Sequence, residues 1–279
     1  DLFLGSGALI GDFKPKWLDQ QDADGITMRE AMQHAGLCVD DIPKLKRQPA
    51  DYLGFIEVHI EQGPVLNEKD LPLGVVTSIN GSVRYLGEVI GMASHAGTTP
   101  MDRRRDAATA VAELALYVEK RAAQDGDSVG TIGQLQVPNG SINVVPGRCK
   151  FSLDLRAPND AQRDALARDV LAELAALCER RGLRYTLEET MRAAAAPSDP
   201  ALQQRWEAAV SALGLPVFRM PSGAGHDAIF VAELGPAGMI FVPCEGGISH
   251  NEIENATKED CRDGCDVLLR AMVERANAA

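Results

Sequence analysis

Hydrophobic residues recur along the middle of the chain at two spacings, one typical of strands and one typical of helices. Residues 149–156 (CKFSLDLR) alternate strictly between polar and apolar, as a half-buried strand does. Residues 106–123 instead carry apolar side chains at every third or fourth position, the spacing of an amphipathic helix. With their neighbours they predict elements in the order βαββαβ at 83–93, 106–123, 129–137, 149–156, 160–181 and 183–188. This order is the ferredoxin-like arrangement, and it predicts a two-layer unit with its own core over residues 81–193.

The segments on either side of this unit predict a second, discontinuous domain of the α/β class. The expected elements are strands at 53–60, 73–79, 239–242 and near Val217, and helices at 27–36, 201–213, 227–234 and 257–275. Between the two parts, residues 192–200 (RAAAAPSDP) read as a linker. We therefore expect residues 1–80 and 194–279 to pack together as one domain, with residues 81–193 inserted into it.

Composition and charge exclude several classes of function. Hydrophobic residues make up 45% of the chain and charged residues 24%, as in ordinary globular proteins. The net charge of -12 argues against a nucleic-acid partner, because phosphate binding needs clustered Lys and Arg. No apolar run approaches the roughly 18 residues that would span a membrane, and the first residues lack the shape of a signal peptide. The six cysteines are scattered without a CxxC pair, which favours a reduced, cytoplasmic protein.

Three of the five histidines stand where an α/β fold presents functional side chains. His59 ends an apolar strand and is followed by a Gly-Pro turn, and His250 lies in a Gly-rich loop directly after another strand. His226 follows Gly-Ala-Gly at the start of an expected helix, where exposed N–H groups suit an anion. Each residue taken alone fits a structural histidine or a plain helix cap as well as a ligand. His34, on the expected helix at 27–36, reads as a surface residue.

A second group of candidates lies in the inserted unit. His95 stands in a long polar loop, SHAGTTPMDRRRDA, that suits anion handling or a solvated basic turn. Asn143 lies in GSINVVPG and can both donate to and accept from an amide or ureido group. Arg156 ends the alternating strand, where a guanidinium can hold a carboxylate with two hydrogen bonds. For both Asn143 and Arg156, an ordinary turn or surface residue is the alternative.

Taken together, these motifs resemble one family in the same order along nearly the whole chain. The motifs are HIEQGPVL, SHAGTTPM, the Asn143 loop, SLDLR, SGAGHDA and MIFVP followed by GGISHNE. They resemble the amidase/carbamoylase branch of the M20 metallopeptidase-like hydrolases, which includes N-carbamoyl-L-amino acid hydrolase, allantoate amidohydrolase and β-ureidopropionase. The resemblance implies a phosphorylase/hydrolase-like α/β metal-binding domain with an inserted ferredoxin-like lid that forms a homodimer.

The resemblance also implies a role for each candidate residue. Two divalent metals, zinc or manganese, are expected in the complete family enzyme, and the substrate is a small ureido or N-carbamoyl carboxylic acid. His59 and His250 would be metal ligands, and His95 would polarise the scissile carbonyl from the partner's lid. The expected substrate-binding residues are Gln62, Asn143, Arg156, His226 and Gly247.

The sequence departs from the family pattern upstream of His59. The family's HxD motif, which provides a His ligand and the bridging Asp, is absent there, as is its Glu-Glu pair, which provides the general base. Two ligands do not hold a catalytic metal, which requires about three protein ligands. We therefore expect an incomplete, N-terminally truncated metal-binding domain, with low metal occupancy and little activity of this chain alone. The alternative function is a non-catalytic module that dimerises and binds a carboxylate; ordinary peptidase activity suits the lid residues less well.

Overall fold

The computed structural model describes residues 3–277 as a mixed α/β fold. The helices are α1 (Leu4–Ile10), α2 (Met28–His34), α3 (Val65–Glu68), α4 (Ala107–Ala123), α5 (Asp160–Arg181), α6 (Pro200–Ala212), α7 (Ala228–Val231) and α8 (Lys258–Asn277). The strands are β1 (Phe55–Ile60), β2 (Gly74–Ile79), β3 (Gly81–Ile90), β4 (Ser94–His95), β5 (Val129–Thr131), β6 (Leu135–Gln136), β7 (Val144–Val145), β8 (Arg148–Ala157), β9 (Arg184–Ala193), β10 (Ala196–Pro197), β11 (Arg219–Ser222) and β12 (Ala237–Val242). The chain divides into two compact units, Ser78–Pro197 and the remainder.

The first unit contains the segments up to Thr77 and from Ser198 onward, and it is built on a mixed sheet. Strand β1 runs parallel to β12 over its whole length, while β12 and β2 are antiparallel. Strand β11 also pairs with β2. Because β1 and β12 are parallel, the chain leaves both strands at the same edge of the sheet, which is where α/β folds present ligand-binding loops.

The core of the first unit lies between this sheet and the helices α6 and α8, and it is mainly aliphatic with one buried tryptophan. Its buried members are Leu73, Val75, Trp206, Ala209, Val210, Ile240, Val242, Val267 and Ala271. All six residues of β12 are buried, so this strand is covered on both faces. Packing on both faces holds the strand in place, so the start of the loop that follows β12 has a defined position.

The second unit contains a five-stranded antiparallel sheet that is covered on one face by two helices. Its strands lie in the order β5-β8-β3-β9, all antiparallel, and β6 pairs with β8 beyond β5. Helices α4 and α5 pack against each other and against β3 and β8. Alternate residues of β8 are buried in this core: Cys149, Phe151, Leu153, Leu155 and Ala157. The polar residues between them face away from the helices, as the strict alternation in the sequence predicts.

The unit boundaries differ slightly from the expected 81–193. The second unit begins three residues earlier and ends four residues later, at Ser78 and Pro197. The physical reason is that the end of β2 pairs with β10, matching Ile79 with Ala196 and Ser78 with Pro197.

Several local expectations were wrong. The segment 192–200 is not an unstructured linker, since it carries the end of β9, all of β10 and the first residue of α6. The strand expected at 129–137 is broken into β5 and β6. Cys261 and Cys265 of α8 are both exposed, because the buried stripe of this helix runs through Gly264, Val267 and Ala271.

Within residues 3–277, no helix is both long enough and apolar enough to cross a membrane.

Candidate metal centre and active site

Two polar side chains of β1 lie on the same face of the strand at its carboxyl end. Glu57 and His59 are separated by one residue, so they point in the same direction. The Nδ1 atom of His59 lies 2.7 Å from the carbonyl oxygen of Ile60, which can accept its proton. This bond fixes the ring and leaves Nε2 available as a ligand atom, the arrangement typical of metal-binding histidines.

His226, in the loop between β11 and α7, lies next to Glu57 and His59. It is only 2% exposed, and its ring lies edge-on to that of His59 with centroids 4.6 Å apart. Its Nε2 atom lies 2.7 Å from Oγ of Ser222. Its Nδ1 atom faces Oε1 of Glu57 at 3.9 Å. The sequence placed His226 in a substrate pocket; the structure places it in side-chain contact with His59.

Glu57, His59 and His226 form a compact group of potential metal ligands. One ligand atom from each residue lies within 4.8 Å of the others. Oε2 of Glu57 is buried and has no hydrogen-bond partner. A buried carboxylate oxygen without a partner is costly, and one common explanation is a cation that binds there. The donor set of two imidazoles and a carboxylate therefore fits a zinc-type divalent cation.

Burial is the largest cause of the pKa shifts of Glu57 and His226. Desolvation raises the pKa of Glu57, and neighbouring Asp227 adds to the rise while His59 opposes it. Desolvation also lowers the pKa of His226 to about 4, and His59 adds to that fall. His226 is therefore neutral at neutral pH, the form in which imidazole binds metals.

A second network joins the loops that follow β1 and β12. Gln62 donates from Nε2 to Oγ of Ser249 at 2.8 Å, and the backbone N–H of His250 donates to Glu254 at 3.0 Å. The hydrogen bonds from Ser249 and His250 lower the pKa of Glu254, and the charge of His59 contributes. The expected site residues Gln62 and His250 are thus brought into one polar cluster beside His59.

The backbone of these loops is held in unusual conformations. Gln62 and His250 both have φ of 57°, a left-handed value that is uncommon outside glycine. Gly247 has φ of 70°, and a Cβ atom there would lie 2.6 Å from the backbone nitrogen of Pro64. Only glycine lets the two loops approach this closely. Strain of this kind is found at sites where geometry serves function.

His95 and Asn143 lie together in the second unit, on the short β4–β7 hairpin. His95 pairs with Val144, and the N–H of Ala96 donates to the carbonyl of Asn143 at 2.9 Å. Nδ1 of His95 accepts from the N–H groups of Gly97 and Thr98, at 3.0 and 3.2 Å. Nδ1 therefore carries no proton, and the exposed ring has its proton on Nε2, where it can donate.

Arg156 lies apart from that hairpin within the second unit. It stands near the end of β8, eight residues beyond Arg148 at the strand's start, a distance of about 27 Å along an antiparallel strand. Its Nε and Nη2 atoms donate to the two carboxylate oxygens of Asp154, at 2.9 and 2.8 Å. The structure therefore brings His95 and Asn143 together within one chain, but not Arg156.

Glu57 is the residue that the sequence motifs missed. A signal was present, since Glu57 is the only charged residue in the apolar segment LGFIEVHI and stands two positions before His59. In a strand this spacing places both side chains on one face. Ser249 and Glu254 carried no comparable signal, because their contacts depend on the loop conformation.

Comparisons with known proteins cover nearly the whole chain. The model of peptidase family M20/M25/M40 matches residues 5–274. N-carbamoyl-L-amino acid amidohydrolase of Geobacillus stearothermophilus is 40% identical over 98% of this chain, and allantoate deiminase of Arabidopsis thaliana is 36% identical over 92%. A solved structure of a hydantoinase/carbamoylase family amidase from Burkholderia multivorans superposes with a TM-score of 0.91 at 36% identity, over 99% of this chain.

The chain spans only part of these relatives' length. It covers 67% of the Geobacillus protein, 55% of the Arabidopsis protein and 67% of the Burkholderia chain. Within that span, the sequence motifs, the fold and the family model agree. The chain therefore belongs to peptidase family M20/M25/M40, and its similarity is to the hydantoinase/carbamoylase amidases of that family.

Proposed function

We propose that this chain belongs to a metal-dependent hydrolase that cleaves linear C–N bonds in ureido or N-carbamoyl carboxylic acids. The observation that carries the proposal is the position of His59 beside Glu57 and His226, at the carboxyl end of a buried parallel strand. The similarity to N-carbamoyl-L-amino acid amidohydrolase and allantoate deiminase supports the substrate class.

The proposed cofactor is a divalent metal, zinc or manganese, bound through His59 and, across the polar cluster, His250. When bound, such an ion supplies Lewis acidity and a water of low pKa. The chain's own residues orient the substrate beside it. Gln62, fixed by Ser249, presents its amide at the edge of the site, and Gly247 lets the pocket loop approach closely.

We propose that the second unit is a ferredoxin-like lid and dimerisation domain. Its strand order β9-β3-β8-β5, with two helices on one face, supports the ferredoxin-like assignment. In a homodimer, His95 would donate from Nε2 to the scissile carbonyl in the partner's site. Asn143 would hydrogen-bond the ureido group from the same hairpin.

Arg156 is the proposed partner of the substrate carboxylate. Its Nε and Nη2 atoms are held by Asp154, so a substrate carboxylate would have to share or displace that contact. Arg156→Ala should therefore raise the KM for N-carbamoyl amino acids by about 10-fold or more, as loss of a charged hydrogen bond does. An unchanged KM would remove Arg156 from the site.

The experiment that tests the function is a hydrolysis assay on protein expressed from the complete reading frame. Ammonia release from N-carbamoyl-L-amino acids and from allantoate is measured for wild-type protein and for His59→Ala. Turnover of at least one of these compounds, abolished by His59→Ala, supports the hydrolase. No turnover of any ureido or carbamoyl acid, with these acids still bound by a dimer, supports the non-catalytic module, which the similarity to known amidohydrolases does not favour.

A further inference from the structure

The loop between β4 and α4, residues 96–106, contains three consecutive arginines, of which only the middle one, Arg104, is half-buried. Its Nη2 atom donates to the carbonyl oxygen of Ala96 at 2.6 Å, and its Nε atom donates to that of Thr99 at 3.2 Å. The arginines on either side of it are exposed. One guanidinium therefore ties two points of the same loop together, a use that suits its planar array of N–H donors.

The segment between these two contacts surrounds the ring of His95. The N–H groups of Gly97 and Thr98 donate to Nδ1 of His95, at 3.0 and 3.2 Å. The N–H group of Thr99 donates to the carbonyl oxygen of His95 at 3.1 Å. A Cβ atom at residue 97 would lie only 3.2 Å from Cε1 of the ring, so this turn lies close against it. The contacts of Arg104 therefore enclose the segment that orients His95.

A single peptide group connects Arg104 to the histidine ring. The carbonyl group of Ala96 and the N–H group of Gly97 belong to the same planar peptide bond. Because this bond is trans, the two groups point in opposite directions. Arg104 binds the carbonyl end, and Nδ1 of His95 accepts from the N–H end. Loss of the guanidinium would free this peptide group to rotate, and Nδ1 would then lose a fixed donor.

We propose that Arg104 is a positioning residue for His95. This role rests on the proposed function, in which His95 donates from Nε2 to the scissile carbonyl. By fixing the donors to Nδ1, Arg104 keeps the ring proton on Nε2 and holds the ring in one orientation. A donor aimed in advance at a developing oxyanion stabilises the transition state more than the bound substrate. Arg104 therefore acts on turnover and not on substrate affinity, and it does not itself touch the substrate.

The first measurement is nuclear magnetic resonance of protein from the complete reading frame, isotope-labelled at the histidine ring nitrogens. The signals of His95 are identified by their absence in His95→Gln, and they are recorded above the pH range in which histidine titrates. In the wild type we expect an unprotonated Nδ1 and a protonated Nε2. Arg104→Met keeps the length of the side chain but removes every donor, and it should move both signals towards the average of the two tautomers.

The second measurement is turnover of an N-carbamoyl-L-amino acid. Arg104→Met should lower kcat by up to about 100-fold, as a small misplacement of a catalytic group does, and should leave KM nearly unchanged. Arg104→Lys keeps a charged donor without the planar guanidinium, and it should recover part of the loss. Arg103→Met is the matched control, because the adjacent Arg103 side chain is 79% exposed. It should change neither kcat nor the signals of His95.

Circular dichroism and thermal unfolding show whether each variant is folded. The proposal is overturned if folded Arg104→Met gives the wild-type signals of His95, or if the wild type already shows averaged tautomers. It is also overturned if Arg104→Met raises KM without lowering kcat, because Arg104 would then contact the substrate. A protein that hydrolyses no ureido acid, but loses the Nε2-protonated form of His95 in Arg104→Met, would contradict the proposed hydrolase and support the positioning role.

Discussion

At the scale of single residues, Glu57 is the most informative side chain of the site. Oε2 is buried and has no hydrogen-bond partner, and the neighbouring His226 is neutral at neutral pH. Without a cation, such a carboxylate destabilises the folded chain. The sequence motifs predicted a metal-ligating role for His59 and a substrate-binding role for His226, and they did not single out Glu57. A motif identifies candidate residues within one segment of the chain. Contact between side chains of a strand and of a distant loop depends on the tertiary structure.

Glu57→Gln is expected to stabilise the metal-free chain. The amide can donate to Nδ1 of His226 and removes the buried negative charge, so the free energy of unfolding should rise by about 1 kcal/mol. Urea unfolding in the presence of a chelator measures the effect. Glu119→Gln, at an exposed position of α4, is the control and should change stability by less than about 0.5 kcal/mol. A clear loss of stability in Glu57→Gln would mean that the carboxylate is already satisfied.

Asp154 leads to a prediction of how the stability of the chain depends on pH. Burial raises the pKa of Asp154, but the hydrogen bonds and charges of Arg156 and Arg84 together outweigh it, and the pKa is lowered. Because the pKa of Asp154 is lower in the folded chain than in the unfolded chain, its carboxylate contributes to the free energy of unfolding. This contribution is fully present above the unfolded-state pKa of about 3.9, and it is lost as the pH falls through the folded-state pKa.

Asp154→Asn should therefore destabilise the chain at pH 7, and the difference from wild type should shrink below pH 4. Denaturant unfolding at a series of pH values measures it. Asp102→Asn is the matched control, because the Asp102 carboxylate is 80% exposed and lies 3.7 Å from Arg103. A difference that stayed constant down to pH 2 would assign the effect to packing rather than to charge.

At the scale of elements, spacing in the sequence predicted most of the fold. Helix α5 has the bounds that were expected, and α4 differs only in that Asp106 is its N-cap. Periodicity succeeds here because each element buries one face. It failed at residues 129–137, where a break between β5 and β6 does not alter the apolar pattern, and at 192–200, where β10 is too short to show one.

Helix α4 offers a matched test of its buried face. Leu114 is fully buried in the core of the second unit, whereas Leu116 on the same helix is 70% exposed. Leu114→Ala should lower the free energy of unfolding by about 2–5 kcal/mol, and Leu116→Ala by less than about 0.5 kcal/mol. Thermal and urea unfolding measure both. Equal losses for the two variants would contradict the position of α4 on the sheet.

At the scale of the whole molecule, two compact units carry different parts of the proposed chemistry. The first unit holds the candidate ligands Glu57, His59 and His226, and the second holds His95, Asn143 and Arg156. Sequence order predicted that the second unit is inserted in the first, but it contained no information on the separation of Arg156 from the β4–β7 hairpin. That separation follows from the length of β8, which runs from Arg148 to Ala157.

Metal-dependent hydrolysis is tested by ammonia release from an N-carbamoyl-L-amino acid before chelation, after chelation and after addition of zinc or manganese. The measurement uses protein from the complete reading frame. We expect turnover that chelation abolishes and added metal restores, with no restoration in His59→Ala. Turnover that persists after complete removal of metal, or that His59→Ala leaves unchanged, would contradict it.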